Sequence, residues 1–115
     1  MKINQQIQFI VINQQANSLY SLIADGKLRT TALGRDKWVS LIAFGVSFQN
    51  FCNKEGFNVV SGLADHRRAR IGILGNNEND CHTCDTRIGF GTAGQGDGVI
   101  CGNNGKKAMG YILVQ

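Results

Sequence analysis

Hydrophobic and polar residues alternate from the start of the chain. In KINQQIQFIVIN, Ile3, Ile7, Phe9 and Val11 fall on one face, with Lys2, Asn4, Gln6 and Gln8 on the other, until Ile10 and Ile12 blur the contrast. A period of two is the mark of a strand. The pattern predicts a long N-terminal strand within residues 1–14, followed by the polar segment QQANS. Further on, Asp25-Gly26 stands between two strand-like runs in SLYSLIADGKLRTTAL, where a type I′ hairpin turn needs residues that tolerate positive φ. WVSLIAFGVSF, residues 38–48, is apolar on both faces and is expected in the middle of a sheet, with Gly45 at a bulge. GFNVVSG, ARIGIL, TRIGFG and MGYILVQ read as further strands, and Asn104-Gly105 as another turn.

Arg70-Ile71-Gly72 and Arg87-Ile88-Gly89 nearly repeat each other and are expected to pair as strands. Their central glycines predict close approach of another backbone or a ring. No segment reads as a helix of about ten residues or more. About seven to nine strands with regularly spaced turn signals predict an all-β fold. The expected form is a single-domain antiparallel β-sandwich of jelly-roll type spanning residues 1–115.

The chain's 115 residues fit one domain with one core. Fifteen Gly and no Pro suit tight turns and central strands, in which proline's missing N–H is not tolerated. The formal net charge of +4 is too small and too scattered for a dedicated nucleic-acid binder. The basic cluster His66-Arg67-Arg68-Ala69-Arg70 carries no aromatic platforms and is expected on a solvated strand edge. No apolar run is long enough to span a bilayer, and MKINQQ is not a secretory leader. Four cysteines in a small loop-rich chain point to an extracellular or cell-surface protein whose leader is absent from this sequence.

Cys52, Cys81, Cys84 and Cys101 are expected to form disulfides, with Cys52–Cys101 and Cys81–Cys84 as the preferred pairing. Cys81-His82-Thr83-Cys84 is also the spacing of a redox motif, but a strand rather than a helix is expected after it, and Asp80 and Asp85 oppose thiolate formation. A zinc site with His66 or His82 is a further reading, weakened because only one close-spaced ligand pair is present. Between Gly75 and Arg87 the loop gathers Asn76, Asn77, Glu78, Asn79, Asp80 and Asp85. Such side chains hold sugar hydroxyls or, with looser spacing than an EF-hand, calcium; they also cap their own backbone in turns, the leading reading.

No serine lies in a nucleophile-elbow context and no carboxylate pair stands out, so the chain is expected not to be an enzyme, with no cofactor. The expected function is a non-catalytic assembly or adhesion module. Its first strand, presenting Ile3, Ile7, Phe9 and Val11, would complete a neighbour's sheet and make a homo-oligomer or filament. The runner-up is a small glycan-binding lectin using Asn76, Asn77, Asn79, Asp80, Asp85 and Arg87, followed by a redox or metal protein using Cys81 and Cys84.

Overall fold

A computed structural model describes residues 9–42, 48–62, 67–93 and 110–115. Six elements follow in the order α1 (Leu19–Ile23), β1 (Arg29–Thr30), α2 (Arg35–Ser40), β2 (Phe51–Val60), β3 (Arg68–Asn76) and β4 (Thr86–Phe90). The strands form an open antiparallel sheet in the order β1-β2-β3-β4. The protein is therefore β-rich, as expected. A second sheet facing the first, which a sandwich requires, is not found among the described residues.

The two RIG segments pair as their sequence predicted, with Ile73 opposite Ile88, Gly72 opposite Gly89 and Ile71 opposite Phe90. On the other side of β3, Gly56 of β2 lies opposite Gly72, and Thr30 of β1 lies opposite Gly56. Three glycines thus form one row across three adjacent strands. A methyl group on Gly72 would strike the carbonyl oxygen of Ile88, and one on Gly89 would strike that of Ile71. Gly89 and Gly56 also hold φ values of +146° and +138°, a region that essentially only glycine occupies in comfort.

One face of the sheet carries the main core. Phe57, Ile71, Ile73 and Ile88 from the strands meet Leu22 of α1, Trp38 of α2 and Phe48. Both helices depart from the sequence expectation of strands. Ser18 begins α1 because its hydroxyl accepts from the Ser21 N–H (3.1 Å), while the Ser21 hydroxyl accepts from the Ser18 N–H (3.3 Å), a reciprocal cap. Leu19, Leu22 and Ile23 then share one helical face toward the core. In α2 and just beyond it, Trp38, Leu41 and Ile42 have the same spacing, so the run starting at Trp38 buries a helical stripe instead of a central strand. Gly45 lies outside the described residues. The Asp25-Gly26 turn exists, with Gly26 at φ +72°, but it joins α1 to β1 and not two strands. The Asp25 carboxylate accepts the Lys27 N–H at 3.0 Å and both terminal guanidinium nitrogens of Arg29 at 2.8 Å.

Part-buried polar contacts through Glu55 and Arg35 flank α2. The Glu55 carboxylate accepts from the Thr31 hydroxyl (2.7 Å) and the backbone N–H groups of Leu33 (2.6 Å) and Gly34 (2.8 Å). Gly34 caps α2 without a side-chain hydrogen bond, and the β2 carboxylate holds the two backbone N–H groups that lead into the helix. Burial alone would push the Glu55 carboxyl up; the hydrogen bonds from Thr31, Leu33 and Gly34 outweigh it and lower it below its ordinary value of 4.5. The Trp38 indole N–H also favours the charged form, although it makes no hydrogen bond of normal geometry. Arg35 completes the arrangement by donating to the carbonyls of Phe48 and Gln49 and lying 5.7 Å from the Phe48 ring centroid.

The basic cluster is another departure. Arg67 is buried, donating from Nε to the Asp85 carbonyl at 3.0 Å, and Arg68–Arg70 open a strand paired on both sides. The cluster therefore leads into the centre of the sheet and not along its edge, although Arg68 and Arg70 keep the solvent exposure expected of them.

Gly89→Ala should lower stability by roughly 3 kcal/mol, the sum of backbone strain and overpacking, measured as a fall in the urea midpoint; Ala at exposed Gly26 should cost distinctly less. Because the folded Glu55 carboxyl is depressed, its contribution is present above its unfolded value of 4.5 and is lost as pH falls through the folded value. Glu55→Gln should cost about 1–3 kcal/mol at neutral pH and flatten the loss of stability on acidification.

Candidate functional site

The most chemically distinctive place in the fold is where β2 begins beside the β3–β4 loop. Cys52 and Asn53 both have positive φ, +69° and +54°, and the β2–β3 register slips between Phe51 and Lys54. This bulge inserts an unpaired residue and re-aims the side chains around it. Asparagine tolerates the left-handed region; cysteine adopts it there at a cost. The Cys52 sulfur reaches the loop and is bonded to Cys81, with the two Cα atoms 4.9 Å apart.

The expected pairing is thereby corrected. Cys52 pairs with Cys81, and Cys84 is a buried free thiol instead of the partner of Cys81. Cys101 lies outside the described residues. The physical reason is the bulge, which carries Cys52 to the C-x-x-C segment, a juxtaposition that loop-closure entropy alone does not favour. Cys84 stays close to the bond: its sulfur is 3.2 Å from that of Cys52 and the same distance from the Cys81 carbonyl, to which the thiol donates. All three sulfurs lie within 4.8 Å of one another.

Apolar and polar neighbours both hold this cluster. Val59 and Leu74 pack with Cys84 in a second small core, against which Cys52 and Cys81 rest. The Ser61 hydroxyl accepts from the Cys84 N–H (3.1 Å) and donates to the His82 carbonyl (2.6 Å). The Gly62 N–H donates to the Cys81 carbonyl at 3.0 Å. Burial pushes the Cys84 thiol up, with Asp80 and Asp85 acting in the same direction against Ser61 and Lys54. In its thiol form Cys84 is therefore a poor nucleophile despite its position.

The oxygen-rich loop is largely engaged with itself. The buried Asn76 donates through Nδ2 to the Asp80 carbonyl (2.7 Å) and accepts through Oδ1 from the Asn77 N–H (2.8 Å). Asp80 accepts the His82 N–H at 2.7 Å. Asp85 meets Gly75 and Arg67 through its backbone. These are the self-capping contacts of a turn. Asn77, Glu78 and Asn79 are exposed, whereas Arg87 sits in β4 opposite Leu74, where burial and then nearby Arg67 lower its affinity for the proton. The loop's acidic and amide groups are not gathered into one ligand set. Sequence reasoning also missed Ser61 and Lys54 as neighbours of the thiol; nothing in their local pattern signals it.

Of the four N-terminal assembly residues, Ile3 and Ile7 lie outside the described residues, as does His66. Phe9 and Val11 are 77% and 63% exposed, while Ile10 and Ile12 pack against the main core. Residues 9–13 carry no strand pairing, so that part of the expected N-terminal strand is not one here. Residues 11–14 instead line an open groove of about 250 Å³ with Thr30, Thr31, Ala32 and Leu33, beside the β1 edge. At the opposite edge, Gly110 lies against the Phe90 ring of β4. Among the described residues no helix is long and apolar enough to cross a membrane.

No protein-family model, curated protein or solved structure matches this chain.

Site-resolved alkylation checks the buried thiol. Cys84 should remain unmodified by iodoacetamide in the native protein and react fully in denaturant; rapid native labelling of Cys84 would contradict its placement.

Proposed function

We propose that this protein is a non-catalytic self-assembling subunit, joined head to tail through the apolar segments at its two ends. The observation that carries the reading is the placement of those segments on opposite edges of one open sheet. Near β1, Ile10 and Ile12 anchor the N-terminal segment while Phe9 and Val11 face outward. Beyond Gly110 at the β4 side, Leu113 and Val114 are 92% and 73% exposed. Large apolar side chains in contiguous exposed segments favour burial against a partner.

The occupant is a second copy of the same chain. Among the described residues β4 has no strand on its outer side, so its N–H and C=O groups can accept an added strand. The N-terminal segment of one copy has the outward apolar side chains of Phe9 and Val11 to lie there, beside the C-terminal apolar residues. A contact between unlike edges leaves a free edge at each end, so association continues into a filament instead of closing as a dimer. The disulfide supports an oxidising setting, and with it an extracellular or cell-surface location.

The test compares the full chain with a Phe9→Ser/Val11→Ser variant by sedimentation and light scattering. The parent should form large species that grow with concentration. The variant, with Ile10 and Ile12 retained, should remain monomeric and keep its melting temperature. A parent that stays monomeric, or a variant that assembles equally well, would falsify the proposal.

A further inference from the structure

We infer that Cys52, Cys81 and Cys84, once reduced, are a binding site for Zn²⁺, so that the loop is tied to β2 by a disulfide in oxidising conditions and by a metal ion in reducing ones. This rests on the sulfur cluster alone and is independent of assembly through the chain ends. In tetrahedral zinc sites the Zn–S bonds of about 2.3 Å place sulfurs about 3.8 Å apart. The cluster is already close to that spacing, with Cys52 and Cys84 sulfurs 3.2 Å apart and all three within 4.8 Å of one another. Opening the Cys52–Cys81 bond lets that pair relax toward the same distance with the backbone in place.

Local structure favours a metal over three separate thiols. Cys81 and Cys84 have the two-residue spacing by which one loop offers two ligands to zinc. The left-handed bulge at Cys52 and Asn53 delivers the third from another strand. Cys84 is 1% exposed, surrounded by Val59 and Leu74, where a lone thiolate is costly; a divalent cation supplies the countercharge and deprotonates its ligands outright. Ser61 and Gly62, just beyond β2, hold the loop backbone, giving the ligands the outer support that metal sites need. Cys81 is partly exposed, leaving room for solvent as the fourth ligand, and His82 is not part of the sulfur group.

The chemistry balances in two steps. A dithiol reductant gives two electrons and two protons to the Cys52–Cys81 bond, becoming a disulfide itself and leaving three protein thiols. Zn²⁺ then binds three thiolates and releases three protons to solvent, so affinity rises steeply with pH.

The test uses the full chain in a Cys101→Ser background, so that only these three sulfurs report. After anaerobic reduction, Co²⁺ should bind with a single equivalent, giving thiolate-to-cobalt charge transfer in the near ultraviolet and intense tetrahedral bands in the red, both abolished by Zn²⁺. The disulfide-bonded protein should show neither. Cys84→Ser should weaken binding by at least about tenfold. If reduction unfolds the chain, Zn²⁺ should restore its circular dichroism. Absence of the bands, equal binding by Cys84→Ser, or a reduced chain that stays unfolded with Zn²⁺ would each overturn the inference.

Discussion

Close contact between backbones at the row Gly56, Gly72 and Gly89 is the constraint on which the sheet depends. At Gly72 and Gly89 the space a side chain would occupy is filled by a neighbouring carbonyl, and the mirror-image φ of Gly56 and Gly89 lets the strands meet there. Side chains on either side of the row then fall into register. Ile73 meets Ile88 and Glu55, and Ile71 meets Phe57 and Phe90. The main core is built on these pairs. A cross-strand row without Cβ atoms gives up side-chain packing locally, and Trp38 and Leu22 from the helices restore buried apolar area on the core face.

The connections are held by polar groups reaching across the sheet instead of by long elements. Glu55 satisfies the approach to α2, Arg35 the carbonyls of Phe48 and Gln49, and Ser61 the loop containing the cysteines. Each buried backbone group needs such a partner because leaving it unpaired costs about as much as a lost hydrogen bond. With α1 and α2 only five and six residues long, little stability comes from the helices themselves, and packing onto the sheet must maintain them.

Two parts of the molecule remain distinct in their chemistry. The sulfur cluster is half-buried and hydrogen-bonded through Ser61, and its disulfide ties β2 to a loop. Toward the chain ends, Phe9, Val11, Leu113 and Val114 are apolar and exposed. The oxygen-rich loop between them spends Asn76 and Asp80 on its own turns, so its composition expresses local folding more than recognition.

Antiparallel pairing of the two RIG segments was legible in the sequence because alternation and a central glycine are local, repeated signals. So was the self-capping character of the Asn/Asp loop, since those side chains bond within a few residues of themselves. The helices were misread because short apolar runs such as LYSLI and WVSLI satisfy both periods, and only burial against Phe57, Ile71 and Ile88 selects the helical one. The cysteine pairing was hidden for a different reason. Spacing reports loop length, whereas the sulfur that meets Cys81 is chosen by two left-handed residues at one bulge. Local patterning by itself determined the pairing of the two RIG segments; tertiary packing alone decided which face each short segment buries and where Cys52 points, because both depend on contacts between residues far apart in the chain.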